Sequence, residues 1–176
     1  LIDNNPHDNG LFTYKDSQSN LIIKSSYLDR GIKRLSQEYA GYKWYLNRVG
    51  LTDTTKLSLS KNEKGLYSRL IVSCLPGSCG QHDLTLYKNQ DKLLIAIDTY
   101  QKIWIEDNQA LYPLHGDFSL GNILFRGGEA IIIDWEHFKN NAAPWGFDLV
   151  NMFYESTLMS INQNGLMNKK DIRVFK

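Results

Sequence analysis

The apolar residues Ile32, Leu35, Tyr39, Tyr42, Leu46 and Val49 recur at three- and four-residue steps. That period places them on one face of a helix. Asp29 stands where an N-cap is expected, and Gly50 where a C-terminal stop is expected. On either side of this helix the pattern shortens. Asn9-Gly10 is a hairpin-type turn signal, and Leu11-Phe12-Thr13-Tyr14 follows it. Leu21-Ile22-Ile23-Lys24 is a short β-branched run, so two or three antiparallel strands precede the helix. Strand-like runs return at Lys56–Ser60 and Gly65–Cys74, around the polar turn Lys61–Lys64.

Leu75-Pro76-Gly77-Ser78-Cys79-Gly80 breaks the pattern, and a boundary is expected there. Asp83–Glu106 reads as mostly helical, with an interruption at Lys88–Asp91. Asn122–Arg126 and Ala130–Trp135 are apolar runs joined by Gly127-Gly128, which is a hairpin by spacing and composition. Pro144 begins a last helix through Leu158. Strands cluster early and helices late, which indicates an α+β chain in two lobes, 1–75 and 76–176, rather than a parallel sheet.

Composition narrows the function classes. The 176 residues carry 20 Lys+Arg against 19 Asp+Glu, a formal charge of +1. Neither nucleic acid nor an anionic membrane surface is an expected partner for so even a balance. With 42% hydrophobic and 22% charged residues the chain reads as globular. No apolar run approaches the ~18 residues of a membrane helix, and no signal peptide is visible. Two cysteines are too few for a disulfide framework, so a cytoplasmic setting is expected. The chain starts with Leu1 rather than Met, so a trimmed or minimal form is expected.

The chemistry concentrates in Leu114-His115-Gly116-Asp117-Phe118-Ser119-Leu120-Gly121-Asn122 and Ile131-Ile132-Ile133-Asp134-Trp135-Glu136. Asn122 opens the first strand of the hairpin and Asp134 closes the second. Asp117 lies in the polar loop just before. Two carboxylates and a carboxamide therefore converge on one hairpin mouth. That is a hard, all-oxygen donor set suited to Mg2+, with waters and phosphate oxygens completing the shell.

His-Gly-Asp, four residues, Asn, then a strand ending Ile-Asp-aromatic-Glu resembles the aminoglycoside phosphotransferase and choline kinase family. The resemblance is strongest over Leu114–Met152 and extends plausibly over Leu21–Gly77. It implies a protein-kinase-like fold: a small antiparallel sheet with one helix, then a mainly helical lobe with a catalytic hairpin. It implies ATP and Mg2+ as cofactors and a hydroxyl of a sugar, aminoglycoside or amino alcohol as acceptor. Asp117 would orient or accept the hydroxyl proton, and Asn122 and Asp134 would hold the metal. His115 would pack the catalytic loop, and Asp148 would hydrogen-bond that loop from below. Lys24 would grip the α- and β-phosphates and Glu38 would fix it. Main chain at Ser73, Cys74 and Leu75 would meet the adenine.

The chain departs from the family in three respects. Only Asn9-Gly10 stands where a glycine-rich phosphate loop belongs. Ser119 occupies a position where protein kinases place a lysine. Little chain lies between boundary and loop, or after Ser160, to build an acceptor pocket. A kinase-like module that binds without catalysis is therefore the rival reading. A protein kinase ranks lower, because the segment after Asp134 is too short for an activation loop.

Other residues admit two readings. Glu136 is a ligand for a second metal, a contact for a cationic acceptor, or a solvated charge. Trp135, Trp145 and Tyr154 form a cage for a quaternary amine or, the favoured reading, pack the core. Cys74, Cys79 and His82 fall short of the about four ligands zinc needs. His7 and His137 have no recognisable partner. Lys169, Lys170 and Arg173 read as a solvated end.

Overall fold

The computed structural model describes residues 10–62, 64, 67–75, 78–79 and 89–164, with side chains omitted at 78–79 and 158–164. The expectations at Asn9, His7, His82, Lys169, Lys170, Arg173 and the Cys79 side chain lie outside the described residues. Two compact units emerge. The first holds Leu1–Cys74 and Trp135–Lys139, the second Leu75–Asp134 and Asn140–Lys176.

In the first unit, β1 (Leu11–Asp16), β2 (Leu21–Ser26), β3 (Leu57–Lys61) and β4 (Ser68–Ser73) form an antiparallel sheet in the order β1-β2-β4-β3. The turn between β1 and β2 spans residues 17–20. Asp16 builds it by accepting the Gln18 N–H at 3.1 Å and the Ser19 hydroxyl. Those hydrogen bonds hold the Asp16 carboxyl below its ordinary range, the Ser19 hydroxyl first among them. The helix α1 runs Asp29–Arg48. Asp29 is its first helical residue rather than its cap; the extended Leu28 holds that position, without a side-chain cap. The stop is as the glycine suggests: Gly50 has φ +69° and Leu51 N–H reaches back to Leu46 O at 2.9 Å. Leu35 of α1 packs with Leu11 and Leu70 of the sheet. Each such burial stabilises by about 1.5–3 kcal/mol.

In the second unit, β5 (Ser78–Cys79), β7 (Ile123–Arg126) and β8 (Glu129–Ile132) form one sheet. A two-stranded pair joins β6 (Tyr112–Leu114) to β9 (Lys139–Ala143). The hairpin β7–β8 turns on Gly127 and Gly128, with φ of +57° and +86°, both in the left-handed region a tight ribbon turn needs. The second strand is shorter than its apolar run suggests, ending at Ile132. Strands β5, β6 and β9 have no alternating apolar pattern. They exist because neighbouring backbones need partners. Helix α2 covers Gln90–Ile103 and α3 covers Phe147–Asn164. Tyr100 and Trp104 of α2 stack at 4.4 Å, and Phe118 meets Tyr100 edge-on at 5.5 Å. This aromatic block lies beneath the loop that follows β6. No helix among the described residues is long and apolar enough to cross a membrane.

Candidate active site

The loop after β6 is held from three sides. Asp148, the second residue of α3, accepts the backbone N–H of His115 at 2.8 Å and of Gly116 at 3.0 Å. It is fully buried, and burial pushes its carboxyl up to about 6, with the Asp117 charge adding to the rise and both N–H donors opposing it. The His115 ring is also buried. Its Nδ1 accepts the Asp117 N–H at 3.3 Å, which leaves Nε2–H to donate to Ile133 O at 3.0 Å. That pairing selects one neutral tautomer and ties the loop to the segment following β8. Gly116 turns at φ +86°, and Phe118 plugs into the aromatic block. Asp117, between two anchored neighbours, keeps a half-exposed side chain.

Asn122 ends a 3-10 turn, Leu120–Asn122, instead of opening the strand. Its Nδ2 donates to Asp117 O at 2.8 Å and to Asp117 Oδ2 at 2.9 Å. The amide nitrogen is thereby committed to Asp117, and the carbonyl Oδ1 takes the opposite side. The Asn122 main-chain oxygen accepts the Ile133 N–H at 3.0 Å, one step past the Ile123–Ile132 pair of the hairpin. This register brings Asp134 to the same end of the ribbon. Asp134 lies two residues beyond β8 and has φ +63°, a left-handed conformation costing a non-glycine residue about 1–2 kcal/mol.

This donor set fits magnesium. Among the described residues no three His, Cys, Asp or Glu side chains gather as a metal cage. Magnesium does not require one: it takes one or two protein carboxylates and completes its shell with water and phosphate. Asp134 and the Asn122 carbonyl are donors of that class.

In the first unit, Lys24 Nζ donates to Glu38 Oε1 at 2.7 Å. Glu38 is fully buried and the Lys24 side chain is 16% exposed. Lys24 sits inside β2 rather than at its end, and the register sets it against Leu70 of β4. The expected adenine contacts narrow. Ser73 N–H is spent on Lys56 O at 2.9 Å and Cys74 N–H on Asn20 O at 2.8 Å. Of the three, only Leu75 has an N–H without an acceptor among the described residues.

Two expectations are corrected, and a third, core packing at Trp135, is met. Glu136 is not a solvated charge, since Oε1 accepts Arg34 Nη1 at 2.9 Å. His137, expected to lack a partner, places Nε2 3.3 Å from the same oxygen. Trp135 is fully buried against Tyr45 at 5.3 Å and Trp44 at 5.7 Å, so it belongs to a core and not to a cage. Trp145 packs on Tyr100 and donates Nε1–H to Trp104 O at 2.6 Å, while Tyr154 is exposed on α3. Arg34 and Gly41 were not singled out by sequence. Neither is apolar, so neither registers in a hydrophobic period.

No curated protein matches the chain. The profile of the phosphotransferase enzyme family matches residues 76–164, half of the chain, and takes in the anchored loop, the hairpin and α3. The chain therefore belongs to the phosphotransferase enzyme family.

Proposed function

We propose that this chain transfers the γ-phosphoryl group of ATP, with Mg2+, to a hydroxyl of a small molecule: a sugar, an aminoglycoside or an amino alcohol. The fold is read as the two-lobe protein-kinase-like architecture, lobes 1–75 and 76–176. The observation that carries the reading is the pair of hydrogen bonds that Asn122 Nδ2 donates to Asp117 O and Oδ2, which orient a carboxylate beside a carbonyl ligand. Asp117 orients the acceptor hydroxyl and holds its proton while the new P–O bond forms and the bridging P–O bond breaks. Asn122 Oδ1 and the Asp134 carboxylate hold the metal. Bound magnesium supplies positive charge that offsets the phosphate oxygens. Lys24, fixed by Glu38, steadies the α- and β-phosphates. Leu75 N–H faces the adenine edge, and Asp148 and His115 keep the loop in shape. Release of ADP from ATP and magnesium over a panel of such acceptors tests the reading. An acceptor-dependent rate no higher than that of Asp117→Ala refutes it.

One observation favours the rival, a kinase-like module that binds without turnover. The β1–β2 turn has no glycine, and its Gln18 N–H serves Asp16 rather than standing ready for a phosphate. A thermal shift with millimolar ATP and magnesium decides between the two, read with the turnover assay. Binding without acceptor-dependent turnover favours the module.

A further inference from the structure

One stripe of α1 carries Arg34, Glu38, Gly41 and Tyr45, spaced by four, three and four residues. Glu38 holds Lys24. The other three hold the segment after Asp134. At Gly41 the helix backbone comes so close that an added Cβ would lie 2.5 Å from Trp135 Cβ and 2.9 Å from Phe138 Cβ. The Tyr45 ring packs on Trp135 at 5.3 Å. Arg34 Nη1 grips Glu136 Oε1 at 2.9 Å.

The aromatic contacts are core packing and need no other purpose. The ion pair differs. Its side chains are 29% and 20% exposed, so it adds little to folding stability. Its two partners lie 102 residues apart, and one of them stands two positions after Asp134. A left-handed aspartate relaxes toward commoner backbone conformations unless its neighbours fix the chain. Trp135 fixes where the chain goes; Glu136 fixes the direction in which it leaves.

We infer that Arg34 and Glu136 are a positioning pair that keeps Asp134 in the left-handed conformation from which it binds the divalent cation. This rests on the functional reading above for the metal, and on the geometry alone for the segment. It also gives Glu136 a purpose that does not involve touching metal or acceptor.

The test uses the full chain with Arg34→Met, Glu136→Gln, and the swap Arg34→Glu/Glu136→Arg. Hydrogen exchange over residues 133–138 is followed without nucleotide or metal. Magnesium chloride is then titrated against a non-hydrolysable ATP analogue, and the half-saturating magnesium concentration is read. Each single variant should speed exchange and raise that concentration about tenfold, as loss of supporting contacts does at metal sites. The swap should recover most of both effects, while Tm stays near that of the parent. Unchanged exchange in the single variants overturns the proposal. So does a loss that follows Tm and is not recovered by the swap. A parent chain that binds no magnesium nucleotide refutes the functional reading and, with it, the metal half of this proposal. The exchange arm still decides whether the pair positions the segment.

Discussion

Asp148→Asn keeps the shape of a buried carboxyl and removes its charge. In the parent chain that carboxylate accepts two consecutive N–H groups, at 2.8 and 3.0 Å. An asparagine can accept only one and turns its own NH2 on the other. The lost charge-assisted bond is worth about 1.5–3 kcal/mol. The charge also has a burial cost. Its carboxyl rises from an ordinary 3.8 to about 6. At about 1.36 kcal/mol per pH unit, that rise corresponds to about 3 kcal/mol. That rise is already net of the two N–H donors, so near neutral pH the lost bond and the lost burial cost act in opposite directions and the variant should unfold within about 3 kcal/mol of the parent. Their pH dependences differ. A raised folded pKa means the group favours folding while protonated. Its contribution is complete below the unfolded value and is lost as pH climbs through the folded one. The variant has no such group. Urea unfolding followed by tryptophan fluorescence should therefore show the parent losing about 2.5 kcal/mol relative to the variant between pH 4 and pH 7. A gap between the two that stays constant over that range would refute the reasoning. Turnover should drop in the variant, because one loop N–H has lost its acceptor.

Asp117→Ala should lower kcat by about 10²–10⁴-fold, about 3–5 kcal/mol, with the KM for ATP little changed in a coupled ADP assay. Lys24→Met removes the ion-pair partner of the buried Glu38 carboxylate and should cost about 3–5 kcal/mol in urea unfolding; the double variant Lys24→Met/Glu38→Leu should recover most of that. Gly41→Ala drives a methyl into two Cβ atoms rather than into flexible chain ends, and should destabilise by about 1–3 kcal/mol in the same assay.

The face of α1 that meets the sheet was legible because Leu35, Tyr42 and Leu46 keep a helical period, and all three are buried. Of the second stripe, only Glu38 was anticipated. It uses a glycine for closeness, a glutamate for charge and an arginine for grip, and hydrophobic periodicity counts none of these. Strand β9 was equally hidden. Lys139-Asn140-Asn141-Ala142-Ala143 is almost entirely exposed, and only its main chain, paired with β6, makes it a strand. The hairpin announced itself through Gly127-Gly128, but its apolar run outlasts its ladder. Beyond Ile132 the chain leaves to set Asp134 and bury Trp135. At the loop, the spacing of Asp117 and Asn122 was readable because one short turn joins them. The His115 bond to Ile133 crosses 18 residues and depends on tertiary packing.

The backbone at Asp134 narrows its own alphabet. Among residues other than glycine, that region of φ favours short polar side chains such as Asp and Asn, which can bond locally to the chain. A hard cation favours oxygen donors, and charged ones most. Glutamate meets the second demand but not the first, and glycine the first but not the second. The metal role proposed above adds a chemical demand to the conformational one, and of the short polar residues that suit this backbone aspartate alone brings a charged oxygen.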